Sequence, residues 1–485
     1  MTKSVPLHPR LTAKGFTGPG GGRASYVEPP PEYRGTSVQV CGLWPYAAGS
    51  GTPMIGTPIG TSLLGGRTTV CFDPISWFTR AKLIHNPSMF VLGLPGLGKS
   101  TFVRRTVLGI AASGVRPMVL GDLKPDYSDL VLALGGQVIK LGRGLGTLNP
   151  LAAGALGSIL PRLSGRAADR VRAEVHGRRL NMVAGLIGVI RRRPIEDIEE
   201  TILSAALHVL DETHSPGSPP LLRDLLQVLD EGPPQVRAVT LDRGSDERYR
   251  QEVDPLQRSL IGLLDGPLGA TFASHTSTPI DVDAPAVCID ISGITASDER
   301  LTAAVLLSCW SDGFGAIEAA NTLADEGLAP QRRFYAVMDE LWRVMRVPGL
   351  VDRTDELTRV NRQYAVGTAY ITHTGLDAES LSREEDRAKA RGFIERSGAV
   401  VCGGLPRREL AQLAEVVAFS RAEQRMITEW STPASWDHEH GREMPPPGQG
   451  NFLIKVGQRA GIPVHVELTR AELEANVHDT NKRWV

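Results

Sequence analysis

The chain has few cysteines for its length. Five occur among 485 residues, at positions 41, 71, 288, 309 and 402, and no two of them form a C-x-x-C pair. Cysteines this dispersed predict no disulfide framework and no zinc site, and are typical of reduced thiols in the cytosol. The first fifteen residues contain no apolar core segment, so a signal peptide is not expected.

The chain also has no excess of charge of either sign and no long apolar helix. Lys and Arg number 53 against 54 Asp and Glu, a net charge of −1, so no overall basic field argues for nucleic-acid binding. The uncharged run from Gly35 to Gly66 is broken by prolines, and Leu301–Ser311 is too short to span a bilayer. We therefore expect a cytoplasmic protein with no transmembrane segment of its own, peripheral at a membrane only through partners.

One glycine-rich segment fits the phosphate-loop pattern G-x-x-x-x-G-K-[ST] at every fixed position: Gly93 to Ser100, GLPGLGKS. An apolar run, Met89–Leu92, precedes it as a predicted strand, and Thr101–Ile110 is predicted to be a helix. The loop's N–H groups would then converge on an anion at a helix N-terminus. The predicted nucleotide-contacting residues are Gly93, Gly96, Gly98, Lys99, Ser100 and Thr101. Lys99 would neutralise the β- and γ-phosphates of ATP, and Ser100 would ligate Mg²⁺.

A second apolar run, Phe334–Met338, ends in the carboxylates Asp339 and Glu340. Beside a phosphate loop, Asp339 would hold Mg²⁺ through water and Glu340 would polarise the attacking water. Acidic residues after a strand also cap helices, which is the alternative interpretation. The order Asp-Glu favours hydrolysis over phosphoryl transfer to a small acceptor.

The segment 362–373 predicts a further strand with a polar end. His373 at that end would sense the γ-phosphate, or is an ordinary strand-end residue. Arg362, before the strand, would reach a neighbouring subunit's phosphate, or is a surface arginine. Arg407 and Arg408 are alternative arginine fingers, or the exposed start of a helix.

Apolar strands that alternate with helices predict an α/β fold with a parallel sheet. Helical periodicity over 151–275 predicts an inserted, mostly helical domain, and its basic run Arg191–Arg193 is a solvated helix end or a DNA contact. The predicted division is a flexible tail (1–35), the two parts of the core (36–150 and 276–443) around the inserted domain (151–275), and a Pro-rich linker with terminal strands (444–485).

These motifs resemble the HerA/FtsK superfamily of motor ATPases, and within it the TraC-type conjugation proteins, the fourth VirB component of type IV secretion, in an actinobacterial-like form. Beyond the phosphate loop, the resemblance lies in GDLKPDY (121–127), the GG at 135–136 with NPL at 149–151, MDELW (338–342) and 362–373, where His373 replaces the usual Gln. It covers about residues 36–485. From the resemblance we expect this chain to have no counterpart, before residue 36, of the large domain that full-length members carry there.

The resemblance implies a P-loop NTPase (RecA-like) fold, a parallel-core sheet flanked by helices, and an ATPase with ATP and Mg²⁺ as cofactors. It implies a homo-hexamer that powers conjugative DNA transfer or type IV secretion, with secretion-channel and coupling proteins at the inner membrane as partners. DNA and protein both stay open as the moved substrate. The alternatives are a HerA/FtsK-like DNA pump independent of a secretion channel, and an ATP-dependent assembly switch without motor activity.

Overall fold

The computed structural model describes residues 10–12, 15–17, 54–64, 68–215, 217–294, 298–346, 354, 365–372, 384–437 and 442–478. The chain forms two compact units, residues 1–50 and 51–485. In the first unit, β1 (Arg10–Thr12) pairs antiparallel with β2 (Gly15–Thr17). The second unit contains the phosphate loop and the acidic strand.

The second unit alternates strands and helices along the chain. Its strands are β3 (Pro58–Ser62), β4 (Thr69–Cys71), β5 (Ser88–Leu92), β6 (Arg116–Asp122), β7 (Gln137–Gly142), β8 (Val287–Gly293), β9 (Phe334–Met338), β10 (Val366–Ile371), β11 (Ala399–Cys402), β12 (Ser435–Asp437), β13 (Arg442–Met444), β14 (Asn451–Lys455) and β15 (Ile462–Val466).

The helices of this unit include one 3₁₀ turn, Leu160–Arg162. The α-helices are α1 (Pro74–Thr79), α2 (Lys99–Ala112), α3 (Ser128–Ala133), α4 (Gly154–Ile159), α5 (Gly165–Arg191), α6 (Asp197–Thr213), α7 (Leu222–Glu231), α8 (Pro234–Thr240), α9 (Asp246–Asp265), α10 (Gly269–Phe272), α11 (Glu299–Asp325), α12 (Leu341–Met345), α13 (Glu384–Arg396), α14 (Arg407–Leu413), α15 (Arg421–Glu429) and α16 (Arg470–Glu474). None of the helices among the described residues is long and apolar enough to cross a membrane.

Within the described ranges, one sheet of eleven strands runs in the order β4-β3-β15-β14-β11-β5-β10-β9-β6-β8-β7. From β11 to β7 every neighbouring pair is parallel, whereas β14, β15, β3 and β4 pair antiparallel. Strands β5 and β9 are buried at every position, as expected for apolar runs covered on both faces. The predicted α/β fold with a mainly parallel sheet is confirmed.

The position of β10 organises the parallel half of the sheet. It pairs in register with β5 on one side and with β9 on the other. All three strands run in the same direction, so their carboxyl ends share one edge of the sheet. The phosphate loop after β5 and the acidic pair after β9 therefore lie at the same edge, separated by the width of one strand.

The chain between β7 and β8 is helical, from α4 to α10. Its apolar side chains share one core with the sheet and with α11: Leu186 of α5, Leu207 of α6 and Leu256 of α9 belong to the same cluster as Ile289 of β8 and Trp310 of α11. This segment buries its apolar faces against the sheet layer. The predicted limits of an inserted domain stay a prediction.

One helix and one strand pair differ from what the sequence pattern suggests. Helix α11 extends from Glu299 to Asp325, far beyond the apolar run at 301–311. Strand β4 pairs with β3, whose Pro58 and Gly60 disfavour a strand assignment from the sequence.

The expectation of a solvated basic run is wrong for Arg191. Its guanidinium pairs with Glu199, 2.7 Å away, and its Nε donates to Ser259 Oγ at 2.7 Å. Both side chains of the ion pair are about nine-tenths buried. Only Arg192 and Arg193 are exposed. Arg191 thus joins α5, α6 and α9 and is not free to contact DNA.

Replacing Arg191 with Met leaves the buried Glu199 carboxylate without its cation. We expect the free energy of unfolding to fall by about 3–5 kcal/mol, because an uncompensated buried charge is strongly destabilising. Urea unfolding followed by circular dichroism measures this. Arg192→Met is the matched control, since that side chain is exposed, and should change stability by less than about 0.5 kcal/mol. Equal effects of the two substitutions would contradict the structural role of Arg191.

Candidate functional site

The phosphate loop connects β5 to α2 with a backbone that only glycine adopts easily. Gly96 and Gly98 have φ of 81° and 94°, in the region that side chains other than glycine disfavour. Helix α2 begins directly at Lys99, so its unpaired N–H groups belong to the loop residues and the first helical turn. The predicted contact residues Gly93, Gly96, Gly98, Lys99, Ser100 and Thr101 all lie in this loop and first turn.

The Lys99 side chain curls back over the loop. Its Nζ donates to the carbonyl oxygens of Gly93 at 2.6 Å and Leu94 at 3.1 Å. Burial lowers the pKa of Lys99 to about 8, while the charges of Asp339 and Glu340 oppose that shift. The ammonium group therefore lies within the field of the acidic pair, across β10.

Two loops distant in sequence are hydrogen-bonded to the phosphate loop. Leu94 N–H donates to the Gly404 carbonyl at 3.0 Å, and Gly450 N–H donates to the Leu97 carbonyl at 3.0 Å. A side chain at Gly93 would meet the backbone of Gly403 at 3.1 Å. Sequence reasoning missed these contacts, and the glycine pairs GG (403–404) and GQG (448–450) were the available signal.

Carboxylates cluster at the same edge of the sheet. Asp122, which ends β6, accepts the N–H groups of Asp126 and Tyr127 at 2.9 and 2.8 Å. The Tyr127 hydroxyl in turn donates to Asp339 Oδ2 at 3.2 Å. Burial, reinforced by neighbouring carboxylates, raises the pKa of Asp122 to about 6 and that of Asp339 to about 7. Such mutual repulsion is relieved when a cation binds.

Glu340 is held in a fixed position next to Asp339. Its backbone has φ of 54°, an unusual conformation for this residue type, and its N–H donates to Asp339 Oδ1 at 2.8 Å. Trp342 Nε1 donates to Glu340 Oε2 at 2.5 Å, and Lys124 Nζ lies 3.3 Å from Oε1. Each carboxylate oxygen therefore has its own donor, in a side chain that is 7% exposed.

Lys124 and Trp342 are functional candidates to which the sequence motifs gave no role. Lys124 is more than half exposed, and its charge contributes to lowering the pKa of Lys99, so two ammonium groups face this edge. The Trp342 ring is covered by the guanidinium groups of Arg343 and Arg346, at 4.6 and 4.5 Å from its centroid. These contacts orient the indole N–H toward Glu340.

The remaining predicted residues are only partly within the structure. Arg362 and His373 lie outside the described residues. The last described residue before His373, Thr372, donates its N–H to Val91 at 3.0 Å, so this end of β10 adjoins the phosphate loop. Arg407 and Arg408 are exposed in the first turn of α14.

The arrangement combines an anion-binding loop with a cluster of carboxylates in one place. Convergent N–H groups and Lys99 suit a phosphate group. Ser100 and Asp339 supply the hydroxyl and carboxylate oxygens that Mg²⁺ prefers. The site is therefore chemically matched to a polyphosphate with a divalent cation, and Glu340 supplies an oriented carboxylate beside them.

Neither a protein-family model nor a curated protein sequence matches the chain. Among solved structures, VirB4 of Thermoanaerobacter pseudethanolicus is similar, with a TM-score of 0.65 at 17% identity, over 87% of this chain and 100% of that chain. The plasmid coupling protein TrwB in complex with GDPNP gives 0.49 at 11% identity, over 96% of each chain. The cytoplasmic domain of the Thermomonospora curvata type VII secretion ATPase EccC gives 0.30 at 13% identity, over 84% of this chain and 28% of that chain.

Of these three, the likeness to VirB4 is close enough to carry an argument, and at 17% identity it concerns the fold alone. The chain has a mixed α/β fold with a large, mostly parallel sheet and flanking helices, and it shares the P-loop NTPase fold of VirB4.

Proposed function

We propose that this protein is an ATP-hydrolysing motor that powers conjugative DNA transfer or type IV secretion. The observation that carries the ATPase part is the meeting of the phosphate loop with Asp339 and Glu340 at one sheet edge, across β10. A loop alone would support nucleotide binding. The oriented carboxylate of Glu340 beside it supports hydrolysis.

In this proposal, ATP is the substrate and Mg²⁺ its companion ion. Lys99 and the loop N–H groups bind the phosphates, and Ser100 with Asp339 would hold Mg²⁺. The raised pKa of Asp339 fits that role, because a divalent cation next to it offsets both the burial of the carboxylate and the repulsion from Glu340 that raise the pKa. When bound, the ion supplies positive charge to the phosphate oxygens. Glu340, held by Trp342 and Lys124, accepts a proton from the attacking water.

The assignment to conjugation or secretion rests on the motif resemblance together with the fold shared with VirB4. The same assignment implies that the protein forms a homo-hexamer and that its partners are secretion-channel and coupling proteins at the inner membrane, with DNA as a further contact. It also implies a cytoplasmic location, peripheral at the membrane. The division into a tail, a split core, an inserted helical domain and terminal strands belongs to the same proposal. A channel-independent DNA pump and an assembly switch are the alternatives.

Two substitutions separate binding from chemistry. Lys99→Ala should abolish measurable ATP binding, because the loop loses its cation, whereas Glu340→Gln should bind ATP with wild-type affinity and lose about 10²–10⁴-fold in kcat. Isothermal titration and phosphate release measure these. Lys140→Ala, an exposed lysine on β7, is the control and should match wild type. Retained ATP affinity in Lys99→Ala would overturn the nucleotide assignment.

Trp342→Phe tests whether the indole N–H positions Glu340. The phenyl ring can still lie under Arg343 and Arg346, but the donor to Glu340 is gone. We expect kcat to fall roughly tenfold, in keeping with loss of a hydrogen bond to a charged group, with little change in ATP affinity. In a Glu340→Gln background the same substitution should have no further effect, because Trp342 acts through Glu340. An equal loss in both backgrounds would contradict this coupling.

The dependence of ATP turnover on subunit assembly tests whether an arginine of one subunit completes the nucleotide site of its neighbour. If Arg362 completes a neighbour's site, turnover per chain should rise with protein concentration, and Arg362→Ala should stay inactive when assembled. Arg407→Ala and Arg408→Ala, measured in the same way, decide between the three arginines. Full activity of dilute monomers would contradict a site completed in trans. Stimulation by DNA would favour the DNA pump, and an ATP-driven change of oligomer mass without turnover would favour the switch.

A further inference from the structure

A cluster of metal-ligating side chains joins α5 to α6, outside the nucleotide site. His176 of α5 stacks on His208 of α6, with ring centroids 3.8 Å apart and planes 13° from parallel. His176 Nδ1 lies 2.9 Å from Asp211 Oδ2, also on α6. One nitrogen of each imidazole and one carboxylate oxygen lie within 4.8 Å of one another.

Two of these side chains are held by a second partner of their own. Ser204 Oγ lies 3.0 Å from His176 Nε2, and Arg179 pairs with Asp211 Oδ1. Imidazoles that bind metals commonly donate their other N–H to an oxygen in this way, and ligating carboxylates are likewise hydrogen-bonded. Nδ1 of His176 and Oδ2 of Asp211 are thus left directed at each other.

That pair of atoms can share either a proton or a metal ion. In one tautomer His176 Nδ1–H donates to Asp211 and Nε2 accepts from the Ser204 hydroxyl, whereas in the other Nε2–H donates to Ser204 and the Nδ1 lone pair is available to a metal ion. Metal–ligand bonds of about 2.1 Å place two neighbouring ligand atoms roughly 3.0–3.4 Å apart, close to this spacing. Because the His208 ring is stacked nearly parallel to that of His176, the exposed His208 side chain must change rotamer to direct a nitrogen lone pair at the same ion.

The ligand types select the class of metal. Two imidazoles and one carboxylate suit zinc and similar divalent transition metals, whereas Mg²⁺ prefers oxygen ligands alone. An open cavity next to His208 supplies access and negative charge, since Asp197 and Glu200 line it. Three protein ligands leave a fourth position for water.

We propose that His176, His208 and Asp211 form a zinc-type site that links α5 to α6. The inference does not depend on the proposed ATPase function, because no residue of the nucleotide site takes part. The scattered cysteines predicted no zinc site, and the sequence offered no other signal, because His176 is separated from the H-x-x-D pair of α6 by a full helical hairpin.

Metal titration of the full chain tests the proposal. The chain is stripped with a chelator and titrated with Zn²⁺, and separately with Co²⁺ for its visible absorption, in excess Mg²⁺ to occupy oxygen-only sites. We expect about one tightly bound zinc per chain. His208→Gln should weaken zinc affinity at least tenfold, as expected for loss of a ligand, and should remove the Co²⁺ bands from nitrogen coordination.

Matched variants make the outcome decisive. His275→Gln changes an exposed histidine outside the cluster and should bind zinc like wild type, as should Lys99→Ala. Zinc should raise Tm in wild type and His275→Gln but not in His208→Gln. Circular dichroism of the chelated proteins should be the same for all, since His208 is exposed. Absence of zinc uptake by wild type, or undiminished affinity in His208→Gln, would overturn the site.

Discussion

The attraction between Lys99 and the acidic pair Asp339 and Glu340 is the interaction on which the site depends. Burial disfavours the charged form of each group: it lowers the pKa of Lys99 to about 8 and, together with repulsion from neighbouring carboxylates, raises the pKa of Asp339 to about 7. Opposite charges in a water-poor edge interact more strongly than on an open surface. The sheet keeps the loops that carry them on either side of one strand, β10.

The sequence predicted the parts of this arrangement that depend on local pattern. Apolar runs ending at Leu92 and Met338 became β5 and β9, and the glycine spacing of the phosphate loop became the positive-φ turn before α2. Both signals lie within a few residues of their chemistry. Buried strands of a parallel sheet are continuous apolar runs, so their ends can be read directly.

Contacts between distant segments could not be predicted in this way. Nothing in a single sequence sets Trp342 Nε1 on Glu340, or Gly450 on the phosphate loop, because these pairings follow from how loops pack after the sheet has formed. Arg191 shows the same limit. Three consecutive arginines predict a solvated surface, yet the first of them forms a buried ion pair with Glu199 on the next helix. The cluster of His176 and His208 is also a product of helix packing.

The glycine contacts of the phosphate loop have a consequence for the antiparallel half of the sheet. Gly404 follows β11 and Gly450 precedes β14, and each is hydrogen-bonded to the loop. Strands β11 and β14 are themselves paired, so both contacts lead into one rigid ladder. A shift of Leu94 or Leu97 must therefore break these bonds or move the ladder with it. The loop is thus hydrogen-bonded to the antiparallel half of the sheet through the segments beside β11 and β14, and it adjoins the acidic strand β9 through β10.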